Sequence, residues 1–366
     1  MGGTQRESFL YATPTLLGRD CVRSYAVVLV LVAAACFGAA TPVSKWLLED
    51  LSPFQLAGIL YSGAAIGVLP SLWKESSHRP LSQVDRQNGW RLAAAILCGG
   101  ILGPVFLLLG LQLASAASVA LWLTLEMATT AILGHFLFRD QLGGFGWLAA
   151  GMMFFASILL SWGEGFAGIQ AGLWVVMACL CWGLDNHLTA LIDGLRPSQV
   201  TFWKGGVAGF VNLSIGWVLQ PWQASGLTVI SALGIGIFSY GISLVLYITA
   251  AQNLGATRSQ LLFSTAPYFG IGLATLFLGE SISPQQLISM SLFAISTGLL
   301  FQDRHQHEHE HSAIEHEHWH RHNDGHHEHV HPELPASVHH RHWHQHRSLT
   351  HSHTHIPDLH HRHSHT

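Results

Sequence analysis

Histidine is the residue type here most able to do chemistry, and nearly all of it sits at one end of the chain. Of 27 histidines, only His78, His135 and His187 lie before residue 305. The candidate metal ligands are His305, His307, His309 and His311, then His316, His318, His320 and His322, then His326, His327, His329 and His331. A last group holds His351, His353, His355, His360, His361, His363 and His365. In an extended chain alternate residues share one face, so neighbouring imidazoles can converge on one ion. Neutral imidazole suits Zn²⁺, Ni²⁺, Cu²⁺ and Co²⁺, and interleaved Glu308, Glu310, Glu315, Glu317 and Glu328 add charge and further ligands. Affinity order alone favours copper over nickel and zinc, so the sequence does not choose the metal. With an unperturbed pKa of about 6.5, the same imidazoles would also gain positive charge on mild acidification. The segment is too long and varied for a purification tag, and it has too little apolar content to bury a core. A tail without regular structure is therefore expected.

A second set of polar residues lies inside apolar runs. Ionisable groups at membrane depth are costly and tend to face a bundle interior or a substrate pathway. Glu126 is the clearest, near the middle of its run. A carboxylate in a low-dielectric cavity holds its proton more readily, which suits reversible protonation as a proton or cation site. Asp185, Asn186 and His187 form the second cluster. On a regular helix, Asp185 and His187 point about 200° apart and cannot share a ligand. Asp185 can instead pair with Lys204, as a gate or a brace between helices. Tyr240 and Trp122 are candidates to line a cavity or to pack the core. Cys179 and Cys181 can ligate a metal or face an apolar neighbour; five cysteines make no paired framework.

The elements that must position these residues follow from composition. The chain has 366 residues, 49% hydrophobic and 10% charged, against about 25% charged in soluble proteins. The net charge of −4 belongs to the tail from His305 onward, leaving the preceding residues balanced. A bilayer-spanning helix needs about 20 apolar residues, and ten such runs are expected, roughly at 25–45, 53–73, 91–112, 116–138, 143–162, 168–190, 198–219, 227–250, 257–278 and 284–302. Ser52-Pro53, Gly143-Gly144, Arg196-Pro197-Ser198 and Ser283-Pro284 mark hinges between them. Pro42, Pro104 and Pro267 interrupt apolar runs, and Gly99-x-x-x-Gly103 and Gly205-x-x-x-Gly209 allow close helix contact.

Basic residues concentrate in cytoplasmic loops. With a cytoplasmic N-terminus, the inside segments hold Arg6, Arg19 and Arg23; Lys74, Arg79, Arg86 and Arg91; Arg139; Arg196; Arg258; and Arg304. The outside loops hold none beyond Lys45. Both termini are therefore expected in the cytoplasm, with the chain in the inner membrane. The halves also resemble each other. Cys36-Phe37-Gly38 matches Cys181-Trp182-Gly183, and Leu51-Ser52-Pro53 matches Leu195-Arg196-Pro197. Gln112-Leu113-Ala114-Ser115-Ala116 matches Gln252-Asn253-Leu254-Gly255-Ala256, and Phe138-Arg139-Asp140-Gln141-Leu142 matches Leu278-Gly279-Glu280-Ser281-Ile282. Five spans per repeat force the second repeat upside down, an arrangement common in secondary transporters.

The patterns Leu123-Thr124-Leu125-Glu126-Met127 … Phe138-Arg139-Asp140, Cys181-Trp182-Gly183-Leu184-Asp185-Asn186, and Phe263-Ser264-Thr265-Ala266-Pro267 … Leu278-Gly279-Glu280 resemble the EamA-type branch of the drug/metabolite transporter superfamily. The resemblance covers residues 25–302, and the His-rich tail is similar to tails on some of these proteins. It implies a ten-helix secondary carrier, commonly an exporter of small metabolites, without naming a substrate.

The expected fold class is an all-α membrane protein, with ten transmembrane helices as two inverted five-helix repeats and a disordered C-terminal tail. The divisions are a segment at 1–24, repeats at 25–162 and 163–302, and the tail at 303–366. The leading expectation is an exporter of a small solute, with a divalent transition metal such as nickel, cobalt or zinc as the first-ranked cargo. The alternatives are an organic metabolite exporter whose tail is a metal-responsive regulator, and a membrane-anchored metal buffer or sensor without transport. An enzyme is not expected: the chain has no phosphate-binding loop, no helical His-Glu zinc-hydrolase pair and no nucleophile–base arrangement. No cofactor is required, and divalent transition metal ions (nickel, cobalt, zinc or copper) are expected to bind the tail. The partners expected are the lipid bilayer and a small solute or metal ion, with no nucleic acid. One chain suffices for a pathway, so a homodimer is permitted but not required.

Overall fold

The computed structural model describes residues 16–74, 84–138, 142–192, 195–254, 259, 262–302, 305–311, 315–320, 340–345 and 349–355, the strand segments of the tail by backbone alone. Residues up to Asp303 form one unit and those from Arg304 a second. The regular elements of the first unit are all helical among the described residues. It runs through α1 (Leu16–Gly38), α2 (Ala40–Leu47), α3 (Pro53–Lys74), α4 (Arg86–Ala95), a π-helical turn (Ile96–Leu102), α5 (Gly103–Leu113), α6 (Ala116–Trp122) and α7 (Leu125–Leu137). There follow α8 (Gly144–Gly163), α9 (Gly165–Ala190), α10 (Pro197–Leu219), α11 (Gly226–Ile235), a second π-helical turn (Gly236–Ile242), α12 (Ser243–Leu254), α13 (Ala266–Leu278) and α14 (Pro284–Gln302).

Among the described residues, seven stretches are long and apolar enough to cross a bilayer: Tyr25–Leu47, Pro53–Trp73, Arg86–Leu113, Ala116–Leu137, Gly144–Gly163, Gly165–Ala190 and Gly226–Tyr247. The helices α10, α13 and α14 occupy the positions of the other three expected runs. Large apolar side chains cover the outside, where water would disfavour them. Phe166 is 84% exposed and Trp162 79% at one end of the bundle, while Trp73 is 80% and Trp90 72% exposed at the other. Aromatic belts at two levels are the pattern of a multi-pass membrane protein.

Several runs expected to be single helices are broken, and the breaks repeat. The two π-helical turns start 140 residues apart, at Ile96 and Gly236. The turn at Leu123-Thr124 between α6 and α7 has its counterpart at Ser264-Thr265, just before α13. Pro42, Pro104 and Pro267 each fall in the first turn of a helical segment, where no intrahelical donor is lost. Small residues let the broken helices pack closely. A Cβ at Gly63 of α3 would lie 2.8 Å from the Gly236 Cα, and one at Gly205 of α10 would lie 2.7 Å from the Tyr61 carbonyl oxygen. The hinge signals also hold more than a proline. Gln55, Gln199 and Gln286 accept with Oε1 from the backbone amides of Ser52 (3.1 Å), Arg196 (3.3 Å) and Ser283 (2.7 Å), and the Ser52 and Ser283 hydroxyls accept in return from the Gln55 and Gln286 amides (3.3 and 3.2 Å), closing two capping boxes.

In the tail, four segments pair as strands by their backbones. β1 (His305–His311) pairs antiparallel with β4 (Leu349–His355), and β2 (Glu315–His320) with β3 (His340–Gln345). Low apolar content argues against a buried core, but it does not prevent alternating polar residues from forming a backbone ladder.

Candidate functional site

Glu126 stands one residue into α7, immediately after the break in its span. Its Oε1 accepts a 3.0 Å hydrogen bond from Asn186 Nδ2 on α9, and the same amide nitrogen lies 3.4 Å from Thr130 Oγ1. Asn186 is exposed and Glu126 and Thr130 are half-buried, so this pair can be reached from outside the packed core. One residue further along α9, His187 Nε2 lies 2.9 Å from the Thr130 carbonyl, and its ring stacks on Phe138 at 4.4 Å. That is a packing arrangement, and it holds α9 against α7.

Asp185 takes the other side of α9. Its Oδ2 meets Lys204 Nζ of α10 at 2.6 Å, with the side chains 7% and 19% exposed, and its Oδ1 accepts from Thr189 Oγ1 at 3.0 Å. The first π-helical turn packs onto this ion pair: a Cβ at Gly99 would lie 2.0 Å from Asp185 Oδ2. A π turn releases carbonyls from the regular ladder, and two of them are claimed here by side chains of other spans. The Gly99 carbonyl accepts from Tyr61 Oη (2.5 Å) and Trp182 Nε1 (3.0 Å), and the Gly100 carbonyl accepts from Asn212 Nδ2 (3.1 Å). The sequence does not mark Tyr61, Trp182 or Asn212 as site residues, because nothing in their own spacing reveals a freed carbonyl 38 to 112 residues away.

Tyr240, on the second π-helical turn, stands with its ring centroid 5.8 Å from Tyr61 and 5.8 Å from Phe37. Phe37 continues to Phe263 at 5.5 Å and Phe263 to Tyr247 at 5.0 Å. An aromatic chain thus joins both halves. Trp122 is instead fully buried, its Nε1 donating to the Ser157 carbonyl at 3.3 Å.

The end of the bundle that carries the α5–α6 connection is interlocked. Lys45 Nζ donates to the carbonyls of Leu111 (2.6 Å) and Ala114 (2.9 Å), at the C-terminus of α5. Glu280 accepts from the Ala116 and Ala117 amides at 2.8 and 2.9 Å, at the N-terminus of α6. Each charge matches the helix end it meets. Gly279, with φ of 66°, makes the left-handed turn that ends α13 and delivers Glu280. Glu164 accepts from Ser115 and Ser118, and Gln286 Nε2 donates to both serines. A cavity of about 220 Å³ beside Lys45 is lined by Trp46, Leu48, Glu49, Gln112 and Leu278. At the opposite end, Arg91 Nη1 donates to the Leu191 carbonyl at 2.7 Å. There the Asn88 side-chain amide holds the Asp85 carboxyl below the usual carboxylate range.

Among the described residues no three His, Cys, Asp or Glu side chains converge as a metal site. Cys179 is buried with its thiol 3.8 Å from the Trp122 carbonyl, and Cys181 is half-buried. Of the tail ligands, His305, His307, His309 and His311 fall on β1, His316, His318 and His320 on β2, and His351, His353 and His355 on β4. His322, His326, His327, His329, His331, His360, His361, His363 and His365 lie outside the described residues.

Two stretches, residues 24–162 and 170–302, match the EamA-like transporter family. An uncharacterized transporter of Synechocystis sp. is 26% identical over 293 residues, covering 73% of this chain and 86% of that protein. Another, from Methanothermobacter thermautotrophicus, is 24% identical over 308 residues, covering 76% and 89%. A solved crystal structure superposes with a TM-score of 0.55 at 15% identity, over 76% of this chain and 96% of its own. The fold is shared at that distance. With two matched stretches that together take in nearly all of the helical unit, the chain belongs to the EamA-like transporter family.

Proposed function

We propose that this transporter moves a small organic solute out of the cytoplasm by alternating access, with Glu126 as the coupling carboxylate. The observation that carries this reading is the Glu126–Asn186 pair, a hydrogen-bonded carboxylate and amide at a helix break. The aromatic chain through Phe37, Tyr61 and Tyr240 joins the same two halves. Carboxylate, amide and ring faces suit an organic molecule better than a bare transition metal, which asks for several converging nitrogen or sulfur ligands. In this reading the chain has ten spans in two inverted halves, both termini are cytoplasmic, and the Arg91 end faces the cytoplasm. The exposure of Asn186 beside an interlocked Lys45 end then corresponds to a state open to the cytoplasm and closed to the outside. Metal ions act on the tail as a regulator or reserve.

The test uses energised inverted membrane vesicles offered radiolabelled amino acids, sugars and organic amines, and separately Ni²⁺, Co²⁺ and Zn²⁺. Intact protein, Glu126→Gln and a chain ending at Asp303 are compared. Accumulation of an organic solute that fails in Glu126→Gln and persists without the tail supports the reading. Energised metal accumulation that fails in Glu126→Gln would make the metal the cargo. Ions bound only in proportion to tail length, with no solute moved, would leave a metal buffer.

A further inference from the structure

Three groups that line the cavity beside Lys45 have bonding capacity to spare. Lys45 Nζ spends two of its three N–H groups on the Leu111 and Ala114 carbonyls, which leaves one. Glu49 and Gln112 line the same cavity and are exposed, and among the described residues the structure gives neither side chain a hydrogen-bond or ion-pair partner. Trp46, Leu48 and Leu278 make the rest of the wall. The cavity thus sets an ammonium, a carboxylate and an amide into an otherwise apolar lining. Its depth in the membrane follows from the chain. Lys45 and Trp46 are among the last residues of the apolar stretch Tyr25–Leu47, Gln112 is next to last in Arg86–Leu113, and Leu278 ends α13. Three helices therefore stop at one level. Trp162, 79% exposed, lies two residues before Glu164, which bonds Ser115 at this same end. That level is an aromatic belt, where lipid head groups meet water. The cavity, at about 220 Å³, is also smaller than the roughly 300–1,000 Å³ that takes a drug-sized ligand. A head group is the better match in size.

We propose that this cavity binds the head group of a phospholipid carrying both a phosphate and a primary ammonium, as phosphatidylethanolamine does. The phosphate accepts the remaining N–H of Lys45, and the lipid ammonium donates to the Glu49 carboxylate. Opposite charges on one small ligand meet opposite charges in the cavity, so neither partner is desolvated alone. A trimethylammonium head has no N–H to give Glu49, and the cavity therefore distinguishes the two zwitterionic heads. The occupant is a lipid because the cavity stands at head-group depth, where lipid heads outnumber any dissolved zwitterion. A phosphate on the third N–H leaves the two carbonyl bonds of Lys45 in place. The bound lipid thus steadies the interlocked end.

The test is native mass spectrometry of the full chain in detergent, titrated with phosphatidylethanolamine or phosphatidylcholine of identical acyl chains. Each titration is repeated with an excess of free O-phosphoethanolamine. Intact protein is compared with Glu49→Gln, which removes an exposed charge and leaves the Lys45 bonds untouched. The expected result is phosphatidylethanolamine bound about three- to fivefold more tightly than phosphatidylcholine, the scale of one exposed ion pair. That preference should vanish in Glu49→Gln and survive the free head group. The unfolding temperature of intact protein should likewise rise more with phosphatidylethanolamine than with phosphatidylcholine, and equally with both in Glu49→Gln. Equal binding of the two lipids by intact protein would overturn the proposal. Tighter phosphatidylcholine would do the same, since it would leave a cation–π contact with Trp46 as the recognition. A preference that persists in Glu49→Gln would place the selective site elsewhere and overturn it too. Loss of the preference to free O-phosphoethanolamine would assign the cavity to a dissolved zwitterion and sink the lipid reading. None of these outcomes bears on solute flux, which is read separately in vesicles.

Discussion

Asp185 of α9 and Lys204 of α10 meet at 2.6 Å against a glycine whose added Cβ would lie 2.0 Å from the carboxylate. The pair therefore does more than neutralise two charges: it fixes the distance between two helices and the first π-helical turn. Removing one member of such a pair leaves the other desolvated and alone, at a cost of about 3–5 kcal/mol. Lys204→Met should lower the unfolding temperature of the purified protein strongly, and Asp185→Asn combined with Lys204→Met should recover part of it. Additive losses in the double variant would show that the two charges do not depend on each other.

Gly99→Ala should abolish transport, because the new methyl has no room between the π turn and Asp185. Gly151→Ala is the paired control. Its Cβ would meet nothing within 4 Å, so it should be neutral or stabilise by about 0.5–1 kcal/mol through helix propensity. Flux and thermal stability measured on both variants separate crowding at the site from a general effect of replacing glycine.

Asn186 and Glu126 should be energetically coupled by about 1.5–3 kcal/mol, the range for hydrogen bonds involving a charged group. A double-mutant cycle with Asn186→Ala and Glu126→Gln, read by stability in a denaturing detergent, measures this. Coupling near zero would mean that the 3.0 Å contact is incidental.

Glu280→Ala should loosen the interlocked end. It leaves the Ala116 and Ala117 amides without their carboxylate partner, a helix-cap loss of about 1–2 kcal/mol. Ser115→Cys in a cysteine-free background should then react faster with a membrane-impermeant thiol reagent when Glu280 is also replaced. An unchanged labelling rate would mean that the Glu280 contacts do not hold this end closed.

The division of labour between sequence and structure follows from what each interaction depends on. Apolar length and the scarcity of charge are local quantities, so the membrane-spanning helices, the two repeats and the odd polarity of Glu126, Asp185 and Lys204 could be read directly from the chain. So could proline at Pro42, Pro104 and Pro267 as a sign of interruption. A break, however, is legible only as a weakened helix; what satisfies the carbonyls it frees depends on residues elsewhere. Tyr61 and Trp182 reach Gly99, and Asn212 reaches Gly100, across 38 to 112 positions. Only packing could pair them. The same holds for Lys45 and Glu280, two charges at loop ends whose partners are backbone groups of a third segment. In the tail the sequence shows which positions carry imidazoles. Which histidine faces which is a matter of strand register, and register exists only once two distant stretches are paired.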